Sequence, residues 1–108
     1  MAKTDALQGS LPLLILKIIE RRGPLHGYGI SARIEAVSGL LRVEEGSLYP
    51  ALHRLEESGW VRARWKTTEN NRRARVYELT ALGRKELQTQ ERRWVSITAA
   101  ISQVLKEA

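Results

Sequence analysis

The sequence predicts a mainly α-helical domain with one small β-hairpin and a long closing helix. Three observations predict it. Apolar residues recur at helical spacing along three successive segments up to Leu55. The period then switches to alternation, with Val61, Ala63 and Trp65 on one face and Arg62, Arg64 and Lys66 on the other. Beyond Thr80 a helical period returns and runs almost to the end of the 108 residues.

Residues 1–9 read as a loose arm. Ser10 suits an N-cap, and Pro12 then falls in the first turn, where a missing N–H costs nothing. Leu11, Leu14, Ile15, Ile18 and Ile19 form the stripe of the first helix, and Gly23-Pro24 ends it. Leu13 and Leu16 widen that stripe beyond the need of one small core, which points to a second buried face against a partner chain. The second helix spans about residues 26–38, with Ile30, Ile34 and Val37 inward and Gly39 as its stop. Its glycine-rich start, His26-Gly27-Tyr28-Gly29, allows another backbone to come close.

Residues 45–60 carry the most information. Leu48, Leu52 and Leu55, with Ala51 beside them, make one apolar stripe. Tyr49, Pro50, His53 and Arg54 fall on the other side, and Gly59 closes the helix. A helix with a packed back and a polar front, followed by a cationic hairpin, suits a reader of the DNA major groove. The hairpin pairs residues 60–66 with residues 74–80 across a polar turn at Glu69-Asn70-Asn71-Arg72, with Tyr77 and Leu79 inward. Three helices followed by a basic hairpin is the layout of a winged helix-turn-helix. Thr80 caps the last helix, about residues 81–106. There Leu87, Trp94 and Ile101 repeat every seven residues, with Gln90, Ile97 and Val104 three later, the a/d seam of a helix that pairs with another chain.

Charge sharpens this reading. The net charge is +6. Between Trp60 and Arg75, six basic residues (Arg62, Arg64, Lys66, Arg72, Arg73, Arg75) face Glu69 alone, which places +5 in one hairpin. Edge protection of a strand needs only one or two lysines, so a polyanion partner is favoured. There is no cysteine, hence no disulfide and no thiolate metal site, which fits a reducing cytosol. The longest apolar run, residues 11–16, is far too short to span a bilayer, and no secretory signal opens the chain. Glycine-rich phosphate loops, nucleophile elbows and suggestively spaced carboxylate pairs are missing, so an enzyme is disfavoured.

Three motifs carry a family resemblance. Gly46-Ser47-Leu48-Tyr49-Pro50-Ala51-Leu52-His53-Arg54-Leu55-Glu56 resembles the signature of PadR-like transcriptional regulators. So do His26-Gly27-Tyr28 and the run Arg73-Ala74-Arg75-Val76-Tyr77-Glu78-Leu79-Thr80 followed by Gly83. The likeness covers roughly residues 11–105, and the single last helix is similar to the compact subfamily that includes lactococcal multidrug-binding repressors. It departs at Gly29 and at the wing tip, where Asn70-Asn71 replaces the glycines common there. The resemblance implies a homodimeric repressor that leaves DNA when a phenolic, drug-like or other effector binds.

Expected DNA contacts follow residue by residue. Arg54 suits a phosphate or a guanine, against an ion pair with Glu57 or Glu44. Tyr49 lies off the leucine stripe, and Pro50 offers apolar atoms to a base or sugar. His53 is either a base reader or a bystander. Ser47 divides evenly between N-cap and contact. His26 and Tyr28 sit where a helix-turn-helix meets the phosphate backbone, balanced against a capping histidine and a half-buried tyrosine. Arg72, Arg73 and Arg75, with Lys66 across the hairpin, are expected at the flanking minor groove or its phosphates. Arg62 and Arg64 read as solvated, Trp60 and Trp65 as packing at the wing base. Trp94 is read either as plain packing or, with its symmetry mate, as a stacking site for a flat aromatic guest.

The expectation is therefore a DNA-binding unit over residues 1–80 and a dimerisation helix over residues 81–108. It would act in the cytoplasm on an inverted repeat of double-stranded DNA, with no cofactor, no metal and no membrane partner. The competing reading is a winged-helix module that binds RNA or a protein.

Overall fold

The structure is a computed structural model that describes the backbone of residues 2–108 and the side chains of residues 9–108. In order it forms α1 (Ala2–Arg22), β1 (Leu25–His26), α2 (Gly27–Val37), α3 (Glu45–Glu57), β2 (Val61–Thr67), β3 (Arg73–Leu79) and α4 (Ala81–Glu107). The strands form one antiparallel sheet ordered β1-β3-β2. Leu25 and His26 pair with Tyr77 and Val76, which puts the entry of α2 beside the hairpin. A two-residue strand is below what alternation can signal, and β1 was not expected.

Helix α1 is the hub and touches α2, α3, α4 and β3. Its Leu11, Ile15, Leu16 and Ile19 are at most 2% exposed. Ile30 and Ile34 of α2, the α3 stripe, Val61, Tyr77 and Leu87 complete the core. Leu16 lies fully inside this core, not on a second face toward a partner. Residues 2–9 belong to α1 and are not a loose arm; five of these eight residues are good helix formers and extend the helix. Ser10 is therefore not an N-cap, and Pro12 lies inside the helix, where one ladder bond is lost. Met1 lies outside the described residues. Val37 is exposed, since the last turn of α2 runs past the core. Ser38, not Gly39, caps that helix, and the Val43 N–H donates to the Glu35 carboxylate at 3.0 Å, which pins the loop into α3.

Helix α3 ends as its glycine requires. Gly59 has φ 79°, its N–H donates to the Glu56 carbonyl, and the Trp60 N–H reaches back to Leu55. The start of α4 docks on this same corner. The Thr80 hydroxyl accepts from the Gly83 N–H at 3.0 Å and donates to the Gly59 carbonyl at 2.6 Å. Gly83 packs directly on the Trp60 carbonyl. The early turns of α4 hold on through Leu87, fully buried, and through Glu91, which meets Lys17 of α1 at 3.2 Å. Residues 92–108 are all exposed.

Gly83 tests this corner, and Gly46 in the first turn of α3 is the control. A Cβ at Gly83 would fall on the Trp60 carbonyl oxygen and 2.8 Å from its carbon, both backbone atoms. Gly83→Ala is expected to lower the unfolding free energy by about 2–3 kcal/mol despite the better helix propensity of alanine. Gly46→Ala meets nothing within 4 Å and is expected to be neutral or to add up to about 1 kcal/mol. Urea unfolding of both variants measures the difference, and a stabilised Gly83→Ala would refute the docking of α4.

Candidate nucleic-acid interface

Helix α3 presents its polar side outward because its apolar side is fixed. Leu48, Leu52 and Leu55 are at most 2% exposed, while Tyr49, Pro50, His53 and Arg54 are exposed. Arg54 has no ion-pair partner among the described residues, and Glu57 pairs instead with His53 at 3.4 Å. Glu44 is the N-cap and its side chain makes no capping bond. Ser47 thus stands in the first turn, part buried, and is not the cap. Pro50 sits one turn further in and offers no N–H to the Gly46 carbonyl.

The start of α2 faces the same side. The His26 Nδ1 accepts the Gly29 N–H at 3.0 Å and so caps the helix. That bond fixes the lone pair on Nδ1 and puts the proton of the neutral ring on Nε2. The His26 and Tyr28 rings stack with centroids 6.3 Å apart, and Tyr28 is 73% exposed. The Tyr49 ring lies on Gly27: a Cβ there would meet the phenol oxygen at 2.7 Å, and the ring would have to shift. The close approach expected at this glycine comes from a side chain, not from a backbone.

The wing sorts its charges by strand parity. Trp65 pairs with Arg75 and Thr67 with Arg73, so these four share one face. Lys66 and Arg64 point to the opposite face with Arg62, which bonds Glu78 at 3.5 Å. Trp65 does not pack at the wing base: the strands outrun the core, and the ring is 57% exposed. The guanidiniums of Arg73 and Arg75 lie 5.2 and 5.9 Å from its centroid. Trp60, by contrast, packs against the core as expected. The turn is closed by Thr68, whose N–H donates to the Arg72 carbonyl at 2.7 Å and whose hydroxyl accepts the Arg72 N–H at 3.3 Å. Asn71 takes φ 61°, a left-handed conformation that asparagine tolerates.

These elements enclose a cleft of about 610 Å³. His26, the cap of α2, and Tyr28 in its first turn, Tyr49 and His53 from α3, and Arg72, Arg73 and Arg75 from the wing all line it. Ser47, Pro50, Arg54 and Lys66 do not. Trp65, Glu56 and Thr68 also line it, though none was expected to. Cross-strand register was the signal for Trp65, since its face alternates with that of Lys66. Arg75 is the least available of the cations, for it is joined to Glu56 of α3 by two bonds of 3.0 and 3.4 Å. Burial pushes the neighbouring Tyr77 phenol above its usual range, with the Arg75 guanidinium opposing.

The seam residues of α4 divide into two groups. Leu87 is buried in the chain's own core, because this part of α4 still overlies α1, and so it is not a dimer contact. Trp94, Ile97, Ile101 and Val104 are 47–63% exposed and extend as one apolar stripe, while the Gln90 amide bonds Glu86. Trp94 lies beside a recess of about 480 Å³ between α1 and α4, with Pro12, Leu13, Trp60 and Ile97 around it. Among the described residues no three metal-ligating side chains cluster, and no helix is long and apolar enough to cross a membrane.

Comparison with known proteins agrees with this architecture. The PadR-like transcriptional regulator family matches residues 15–89. A transcriptional regulator of Clostridium thermocellum superposes with a TM-score of 0.82 at 27% identity, covering 92% of this chain and 96% of that one. A PadR family regulator of Eggerthella lenta gives 0.81 at 25% identity over 97% and 89%, and one of Clostridium difficile 0.78 at 26% over 90% and 99%. A 37.1 kDa protein encoded in a Streptomyces fradiae transposon is 50% identical over 66 residues, which are 61% of this chain but only 18% of that protein. With the helical core, the three-stranded sheet with its wing hairpin and the long last helix all in place, the chain belongs to the PadR-like family of transcriptional regulators, which are not enzymes, and has their winged-helix DNA-binding fold.

Proposed function

We propose that the chain is a homodimeric repressor that binds an inverted repeat of double-stranded DNA and leaves it when a planar aromatic or drug-like effector binds. One observation carries the DNA reading. Side chains from three separate stretches of sequence, the entry of α2, the outward side of α3 and the wing, converge on one face that is rich in cations. In this reading α3 enters the major groove. Its Arg54, Tyr49 and Pro50 meet base edges or sugar, and Ser47 and His53 flank them. His26, through Nε2–H, and Tyr28 meet a phosphate at the start of α2. Arg72 and Arg73 grip the flanking backbone, with Lys66 on the outer side of the wing. The turns of α4 through Glu91 brace this head, and Trp94, Ile97, Ile101 and Val104 pair the two chains. The protein acts in the cytoplasm and needs no cofactor.

Binding is expected to favour half-sites about one helical turn, roughly 34 Å, apart. Arg54→Ala and Tyr49→Ala are each expected to weaken the preferred duplex by roughly 1–3 kcal/mol. Replacing Arg72 and Arg73 together is expected to weaken all duplexes alike and to flatten the salt slope by about two units. Fluorescence anisotropy across a salt series, with structured RNA as competitor, reads all three. Wing variants that changed the preferred sequence, or RNA that outcompeted the duplex, would remove this assignment.

Pairing through α4 is tested by Ile97→Glu with Ile101→Glu. Truncation within the first turn of α4 is a poor probe, because it would remove Leu87 from the core. Sedimentation is expected to show a dimer for the parent chain and a folded monomer for the double variant. A monomeric parent at micromolar concentration would overturn the pairing.

The effector reading rests on Trp94, a half-exposed indole beside a recess on the pairing side of α4. Titration with flat aromatic compounds is expected to quench tryptophan emission in the parent, with affinity lost in Trp94→Ala. Equal affinity in the two proteins would take Trp94 out of the site.

A further inference from the structure

Arg75 belongs by sequence to the cationic wing, but its surroundings give it a different task. Its Nη2 and Nη1 donate to the two carboxylate oxygens of Glu56 at 3.0 and 3.4 Å. Its guanidinium also lies over Trp65 at 5.9 Å. Its Nε is shut off from water with no hydrogen-bond partner. A guanidinium that grips a carboxylate with two donors and rests on a ring is held in one orientation. Glu56 in turn continues the line of Tyr49 and His53 at helical spacing, on the outward side of α3. The bond therefore runs between the recognition helix and the wing, across the cleft that both of them line. A phosphate claiming the same donors would have to displace Glu56 and leave a carboxylate facing a polyanion.

The geometry points to Glu56 and Arg75 as a positioning pair that sets the angle of the wing to α3, and so decides which sequences α3 and the wing can engage together. This rests on the DNA reading above. Arg75 is then not a phosphate contact, and the backbone grip is left to Arg72 and Arg73. Trp65 seats Arg75 on its ring and carries Arg73 beside it. Simple charge counting expects the opposite of Glu56: a carboxylate beside DNA repels it, so its removal should tighten binding. A positioning role expects its removal to weaken binding.

The sign of that effect is the test. Glu56→Gln, Arg75→Gln and the exchange Glu56→Arg with Arg75→Glu are made in the full chain. Two probes are used: a duplex enriched from a randomised pool by the parent protein, and an unrelated duplex of the same length, each over a salt series. Either single substitution is expected to weaken the enriched duplex by about tenfold and to leave the unrelated one nearly unchanged. The salt slope stays that of the parent, and the exchange recovers most of the loss. Thermal melts establish that each variant is folded, and if Arg75→Gln is not, Glu56→Gln decides by its sign. Tighter binding of both duplexes by Glu56→Gln overturns the pair. So does a fall of about one unit in the salt slope of Arg75→Gln, or an exchange no better than the weaker single variant. A parent chain that enriches no duplex overturns the DNA reading itself, and the pair falls with it.

Discussion

Burial of the leucine stripe of α3 is the constraint on which the rest depends. Leu48, Leu52 and Leu55 are held by α1 and the sheet, so the helix can neither roll nor slide. Only then do Tyr49, His53 and Arg54 have a defined outward direction. Each fully buried leucine contributes about 1.5–3 kcal/mol, and none of that depends on what the outer side carries. The outer side is thereby free to vary without cost to this part of the core. Gly27 shows where this freedom ends, since the Tyr49 ring is seated on its bare backbone.

Much of this was legible in the residues. The leucine period of α3, the alternation of β2, the stop at Gly59 and the cap at Thr80 all reappear in the structure, because each depends on local rules that neighbouring residues cannot override. The misses are of another kind. Whether Leu16 or Leu87 faced a partner was a question of how many elements surround α1, which no periodicity reports. Val37 and Trp65 carry the right spacing for burial but lie beyond the edge of what covers them. The Arg75–Glu56 bond joins residues nineteen apart on different elements, so only the fold brings them together. On the candidate interface the residue types were readable and their availability was not. Arg54 and Arg75 look alike in sequence, yet one is unpaired among the described residues and the other is doubly bonded.

Hairpin parity explains why the wing carries so much charge. Arg62, Arg64 and Lys66 lie on the face away from the cleft, and Arg73 and Arg75 on the face toward it. One set raises the local potential around the wing, while the other is arranged around Trp65. Counting the hairpin as a single +5 unit merges two populations with different partners.

The continuity of α4 limits how chains of this kind can change in length. From Gly83 to the last turn it is one uninterrupted helix, anchored at its base by the Trp60 carbonyl and Leu87. A single inserted residue after Glu91 would rotate everything beyond it by about 100° and lengthen it by about 1.5 Å. Trp94, Ile97, Ile101 and Val104 would then look sideways relative to the head. Seven added residues restore the direction to within about 20°. With the pairing proposed above, the segment between the head and this stripe keeps its direction only when it changes in steps of about two turns.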